Sequence, residues 1–371
     1  MADSLRIAYD VTPLIGNRTG IGVFTAGLLA ELQLNPEVDV RRFAVTWRGR
    51  AEAGSAARWP MPARPLRALW RRVSAPPIEW FTGRVDVVHG TNFVVPPTTH
   101  AARVVSVHDL TAVRYPQLCT SDTLQYPELV RRAIAQGAFV HTDTQAVADE
   151  VIAWSGIDAS RVRAVHPGVD APGCGGRVAP GDVGSRTIPA PYVLALGTIE
   201  PRKDHPTLLR AFAELAADDA DLRLVVAGQD GWGSEAFART MATLEPRVRY
   251  RVSRIGWVSD AHRAELIAHA AVFAYPSLYE GFGFPPLEAM TLGIPVVATR
   301  IAALTEVLGD AAAFAPVGDP IALAATLRSV LGDTAEHGRL AQEGRRRAAG
   351  YRWATCAGAM IEIYRAAVAA R

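Results

Sequence analysis

AVFAYPSLYEGFGFPPLEAMTLGIPVVAT, residues 271–299, carries a strand, a glycine-bearing loop, a helix start and a second strand in one short span. Val272 to Tyr275 is an apolar run too short for a buried helix, and Pro276 ends it. The loop Glu280-Gly281-Phe282-Gly283 follows. A helix is expected to open at Pro285-Pro286, because first-turn amides have no intrahelical acceptor and losing one there costs little. After Gly293-Ile294-Pro295 the chain returns to an apolar run at Val296. A strand, a crossing helix and a second strand of this kind build a parallel sheet. Working outward, Val- and Ile-rich runs near 5–11, 38–46, 85–89, 103–108 and 139–142, then 192–196, 222–227, 250–255, 272–275, 296–298 and 313–315, alternate with segments of helical period. Between the two series lies APGCGGRVAPGDVGSRTIPAP, residues 171–191, too dense in Gly and Pro for either element to persist. The expected fold class is α/β with two Rossmann-like domains, 1–170 and 192–351, joined by a linker at 171–191. Residues 352–371 read as a helix that buries Trp353, Met360, Ile361, Ile363 and Tyr364; they are assigned to the first domain, and packing on the second satisfies the pattern equally well.

At 371 residues the chain exceeds the size at which one core keeps growing, so two domains are the natural expectation. It is 49% hydrophobic and 20% charged with a net charge of +2, a soluble globular profile that does not point to nucleic acid. No long apolar run and no basic-then-apolar leader occur, so a cytoplasmic location is expected. Cys119, Cys174 and Cys356 have neither metal nor disulfide spacing and read as free thiols.

Two carboxylates eight residues apart, Glu280 and Glu288, would repel a phosphate set directly upon them, so each has to face something neutral. A carboxylate accepts from vicinal hydroxyls, which suits Glu288 to a ribose diol and Glu280 to a hexose hydroxyl. The plainer alternative makes Glu288 a first-turn acid offsetting the helix dipole and Glu280 a solvated loop residue. Backbone amides of Gly283, Phe284 and Leu287, with the positive end of the helix, form an anion site. In Gly197-Thr198-Ile199-Glu200-Pro201-Arg202-Lys203-Asp204, Lys203 is the single lysine among 39 basic residues. An ammonium on a flexible stem follows a leaving phosphate where a guanidinium demands a fixed fork. Gly20 and Gly22, in Gly16-Asn17-Arg18-Thr19-Gly20-Ile21-Gly22, permit close backbone approach at a strand-to-helix turn, though Thr25 breaks the dinucleotide fingerprint. His108 closes the fourth strand, where an open parallel sheet collects ligands; a packed or capping histidine fits there as well. Val258 lies in the turn of Arg254-Ile255-Gly256-Trp257-Val258-Ser259-Asp260.

The run from Pro276 to Val297 resembles the Glu-x7-Glu signature of the retaining glycosyltransferases of family GT4, bacterial mannosyltransferases among them, and the other segments follow that family's order along nearly the whole chain. The resemblance implies the GT-B fold, in which two parallel sheets face a deep interdomain cleft, with an acceptor-binding first domain and a nucleotide-sugar-binding second. It implies that Lys203 and Arg202 hold the donor diphosphate, Glu288 the ribose and Glu280 the transferred sugar. Val258 would then lie against the nucleotide base, Gly20 and Gly22 near the donor phosphates, and His108 against the donor sugar. Thr198 stands where many relatives carry a phosphate-binding arginine, which leaves Arg202 to supply that charge. On this division of roles Glu280→Gln spares binding of the free nucleotide diphosphate. No Asp-x-Asp metal motif is read in the chain, so neither metal nor other cofactor is expected. The implied activity is transfer of mannose from GDP-mannose to an oligosaccharide or glycan acceptor, with retention, in polysaccharide biosynthesis. UDP-glucose or another nucleotide sugar with a lipid-linked acceptor, or a nucleotide-sugar epimerase on the same fold, is the alternative.

Residues 41–84 hold ten arginines against Glu52 and Glu79, a balance of +8 in a chain of net charge +2. Trp47, Trp59, Trp70 and Trp80 are interleaved with that charge. Such a stretch suits an acceptor loop in which indoles stack on sugar rings, or peripheral contact with an anionic membrane surface, or a solvated basic face. Prolines from Pro60 to Pro77 rule out one long amphipathic helix, which favours the loop.

Overall fold

The computed structural model describes residues 4–16, 19–46, 57–58, 63–173 and 191–371. The expected linker at 171–191, Asn17 and Arg18 of the first glycine loop, and Trp47 and Trp59 of the basic stretch therefore lie largely or wholly outside the described residues. The chain divides into two units, Met1–Gly168 with Tyr351–Arg371, and Val169–Gly350. No helix among the described residues is long and apolar enough to cross a membrane.

The first unit is a seven-stranded sheet of β1 (Leu5–Asp10), β2 (Val38–Ala44), β3 (Ala57–Arg58), β4 (Val87–Gly90), β5 (Ala102–Ser106), β6 (Phe139–Thr142) and β7 (Val162–Ala164), in the order β3-β2-β1-β4-β5-β6-β7. Every pairing is parallel. Its inner strands are apolar on both faces, as helices on each side require, so Ile7, Val88, Val104, Val105 and Val140 are fully buried. The strand order reverses between β1 and β4, and the carboxyl ends of that pair are where this topology binds ligands. β3 and β7 were not read from the sequence; each is too short to show a period.

The last helix, Trp353–Ala369, packs on the helix Gly20–Leu34 and on β4, β5 and β6. Two glycines receive its first indole: a Cβ at Gly27 would stand 2.3 Å from Trp353 Cε2, and one at Gly168 would stand 2.5 Å from Trp353 Cγ and 2.4 Å from the Trp353 backbone nitrogen. Gly27→Ala is therefore expected to destabilise this unit by about 1–3 kcal/mol, the usual cost of overpacking a filled core. Urea unfolding would read it as a lowered midpoint, and an unchanged midpoint would contradict the wedge.

Deeper in the same unit a chain of polar groups ties the last helix to the sheet. Tyr364 Oη lies 2.8 Å from His89 Nδ1, His89 Nε2 lies 2.8 Å from Ser106 Oγ, and Ser106 Oγ lies 2.9 Å from His141 Nδ1. His141 Nε2 faces the Val165 carbonyl at 3.1 Å. A carbonyl only accepts, so the proton sits on His141 Nε2; Ser106 then donates to Nδ1, His89 Nε2 donates to Ser106, and Tyr364 donates to His89 Nδ1. Both histidines are held neutral, in agreement with burial drawing His141 down to about 4 and His89 well below its ordinary value.

The second unit is six-stranded, with β8 (Tyr192–Leu196), β9 (Arg223–Ala227), β10 (Val252–Gly256), β11 (Val272–Tyr275), β12 (Val296–Thr299) and β13 (Ala313–Ala315) in the order β10-β9-β8-β11-β12-β13, again all parallel. Its reversal falls between β8 and β11.

Candidate functional site

In the second unit the two loops that leave the carboxyl ends of β8 and β11 carry the residues singled out by motif. From β8 the chain passes Gly197 into a short turn, Pro201–Lys203, that ends at Asp204. Asp204 has φ of +46° and caps the helix His205–Asp218 through Thr207. A second loop is fastened against the first. Ile199 N–H donates to the Gln229 carbonyl at 3.0 Å, and Gly233 N–H donates to the Ile199 carbonyl at 2.9 Å. Gly228 has to be glycine, since a Cβ would stand 1.9 Å from the Gly197 carbonyl oxygen. This fastening fixes where Arg202 and Lys203 stand.

Both cations converge on one carboxylate. Lys203 Nζ lies 2.5 Å from Glu280 Oε1, and Arg202 Nη1 lies 2.5 Å from Glu280 Oε2. Arg202 also donates to Glu200 Oε1 at 2.7 Å and to the Tyr279 carbonyl at 3.0 Å. Lys203 donates to Tyr275 Oη at 2.6 Å, with its nitrogen 4.6 Å from the centre of that ring. Glu280 is 6% exposed, so the solvated-loop alternative is excluded by geometry. Burial alone would raise its pKa, but Arg202 and Lys203 outweigh burial and bring it to about 2. Burial draws the Lys203 ammonium below its ordinary value while Glu280 opposes that shift.

Glu288 stands apart from this cluster. It lies in the first turns of the helix Phe284–Thr291, whose cap Gly283 has φ of +101°, and it is ion-paired with Arg263. The helix opens at Phe284, one residue before the prolines, with Leu287 fully buried. Burial raises the Glu288 pKa although Arg263 pulls it down. Arg263 belongs to the helix Asp260–Ala268, capped by Ser259, so Val258 sits in the turn just before the element that meets Glu288. Arg263 and Tyr275 escaped the motif reading. Tyr275 is the last residue of β11, a position the strand-end rule does flag; Arg263 is 25 residues from Glu288, with no linear signal.

In the first unit Gly20 and Gly22 open the helix Gly20–Leu34, with Gly22 buried. His108 is buried, and both its nitrogens are engaged: Nδ1 with Asp143 at 2.7 Å and Nε2 with the Thr91 carbonyl at 2.8 Å. Both partners accept, which makes His108 an imidazolium. Burial opposes that charge, and Asp143 outweighs it to raise the pKa. A ligand that took a ring nitrogen of His108 would have to displace one of these partners. Of the basic stretch, Arg67 lies 5.8 Å over the Tyr126 ring, Arg71 pairs with Glu128 at 2.6 Å, Trp70 is buried and Trp80 is exposed.

Contrary to the expectation from sequence, the chain does contain an Asp-x-Asp triplet, Asp219-Ala220-Asp221. It precedes β9, at the end of the sheet opposite Lys203, where Asp219 accepts the amides of Asp221 at 2.9 Å and Leu222 at 3.2 Å. These are turn-closing bonds.

Comparison with known proteins gives a consistent result. A family profile described as "Glycosyl transferases group 1" matches residues 190–333, and one described as "Glycosyltransferase Family 4" matches residues 18–171. The O-antigen chain mannosyltransferase B of Escherichia coli is 29% identical over 287 residues, 75% of this chain and 74% of that protein. A D-inositol 3-phosphate glycosyltransferase of Kineococcus radiotolerans is 32% identical over 321 residues, 78% of this chain and 70% of that one. A sucrose-phosphate synthase from Thermosynechococcus elongatus has the same fold, with a TM-score of 0.73 at 20% identity over 99% of this chain and 100% of that chain.

Proposed function

The chain belongs to the family 4 glycosyltransferases and is a hexose-transferring enzyme of that type, and from that premise we propose that it moves mannose from GDP-mannose to a glycan hydroxyl with retention. The observation that carries this reading is the convergence of Lys203 and Arg202, from the end of β8, on Glu280, from the end of β11, at the reversal of the second sheet. Two cations in a largely buried setting suit a diphosphate leaving group, because charge develops on its bridging oxygen as the glycosidic bond breaks. Glu280 is then turned to the sugar hydroxyls and Glu288 to the ribose. The anomeric carbon loses its bond to the diphosphate oxygen and gains one to the acceptor oxygen on the same face, while the acceptor's proton passes to the departing phosphate. Val258, Gly283, Phe284 and Leu287 complete the donor contacts proposed for the second unit. The mannosyl choice is supported by the similarity to the E. coli mannosyltransferase.

A thermal-shift panel of nucleotide sugars tests the donor, with GDP-mannose expected to raise Tm most; a larger shift with UDP-glucose would overturn the choice. The anomeric configuration of the product, read by NMR, tests retention. Divalent metal plays no part in this scheme, in which Lys203 and Arg202 supply the positive charge at the diphosphate. Turnover is expected to persist in excess EDTA, and loss of activity restored by magnesium or manganese would refute that.

A further inference from the structure

The loop after β4, Thr91-Asn92-Phe93-Val94, stands at the reversal of the first sheet. The residues on either side of Asn92 are fastened. Thr91 Oγ1 donates to the Asp10 carbonyl at 2.9 Å, the Thr91 carbonyl accepts a hydrogen bond from His108 Nε2 at 2.8 Å, and Phe93 N–H donates to the Ser106 carbonyl at 2.9 Å. Gly90 lets the chain turn back on itself, since a Cβ there would stand 1.9 Å from the Val94 carbonyl oxygen. Two unfavourable features sit at the apex of this otherwise well-satisfied loop. Phe93 has φ of +58°, a left-handed conformation that costs a bulky L-residue about 1–2 kcal/mol. Asn92 Oδ1 is buried and accepts no hydrogen bond among the described residues, at a cost of about 1–3 kcal/mol. The Phe93 ring is held in place, stacked on Tyr126 at 5.0 Å and edge-on to His108 at 5.9 Å. Strain and an unsatisfied acceptor on adjacent residues of an anchored loop, at the sheet position where ligands collect, are features that selection for stability removes and selection for binding retains.

We propose that Asn92 is a specificity-determining residue of the first unit, whose carboxamide recognises paired hydroxyls of the acceptor saccharide. An amide supplies both an acceptor and two donors, which suits a vicinal diol, and its terminal torsion is soft enough to turn Oδ1 toward a bound sugar. His108, as an imidazolium clamped by Asp143, acts here as a positioning residue that holds Thr91 and thereby the loop. The inference rests on the proposed reading of the chain as a glycan mannosyltransferase.

The test uses the full chain with GDP-mannose as donor and methyl α-D-mannopyranoside and α-linked mannobioses as acceptor probes, with GDP release as the readout. Asn92→Leu, close in volume and apolar, is expected to raise the probe KM at least tenfold, to leave the GDP-mannose KM within about twofold, and to keep or raise Tm. A role confined to structure would instead lower Tm by several degrees with no selective change in the probe KM, and that result overturns the proposal. Equal rises in the donor and probe KM overturn it too. Asn92→Asp, which keeps the acceptor and loses the donors, is expected to fall between Leu and wild type; wild-type behaviour in both variants would end the idea. If the wild type turns over no GDP-mannose but accepts another donor, the mannosyl reading fails and the same probe comparison with that donor still decides Asn92. If no saccharide probe alters turnover with any donor, the acceptor reading and this proposal fall together.

Discussion

Replacing Lys203 with alanine is expected to lower kcat by about two orders of magnitude or more, the scale of losing one preorganised electrostatic contact to a developing charge. The argument starts from where the ammonium is held. Its stem passes Gly197, its nitrogen lies between Glu280 and Tyr275, and burial keeps water from standing in for it. Folding is expected to survive, because Glu280 retains Arg202 as a partner at 2.5 Å and so is not left as an unpaired buried charge. Single-turnover rates with saturating donor, set beside circular dichroism of the variant, separate the two effects. A kcat within threefold of wild type would remove Lys203 from the chemistry.

Glu280→Gln is expected to tighten the binding of pyrophosphate and of GDP about tenfold, while transfer falls. The motif reading alone gives a different expectation, with nucleotide binding unaffected, and the geometry is the reason for the change. An incoming diphosphate and the Glu280 carboxylate are rival anions for the same two cations, and binding has to break two charge-assisted hydrogen bonds of 2.5 Å. A neutral amide holds the cations less strongly, so the rival is weakened; tenfold corresponds to about 1.4 kcal/mol. The carboxylate is nonetheless the better acceptor for sugar hydroxyls, so turnover drops even as product affinity rises. Calorimetric titration with pyrophosphate decides the matter without knowledge of the donor. Equal or weaker binding in the variant would refute the competition, and failure of the wild type to bind pyrophosphate at all would remove the cluster from the role of diphosphate site.

Much of this molecule is legible in its amino-acid order, because the information is local. Eleven of the thirteen strands among the described residues declare themselves as Val- and Ile-rich runs broken by Gly and Pro, since a strand covered by helices on both faces needs apolar side chains at consecutive positions. Glu280, Glu288, Arg202 and Lys203 stand out by spacing, and Lys203 by being the single lysine. Partnership is another matter. That one carboxylate occupies both cations, that Arg263 closes on Glu288, that His108 is clamped as an imidazolium, and that Tyr364 reaches His89 from 275 residues away depend on strand order and helix packing, and no sequence spacing encodes them. The burial of Glu280 decides between two readings that the motif leaves open, because a carboxylate's role is set by its dielectric surroundings and neighbouring charges as well as by its position in the chain. The last helix could satisfy its apolar face on either domain by period alone; Gly27 and Gly168, far apart in sequence, leave room for Trp353 only when the first sheet brings them together.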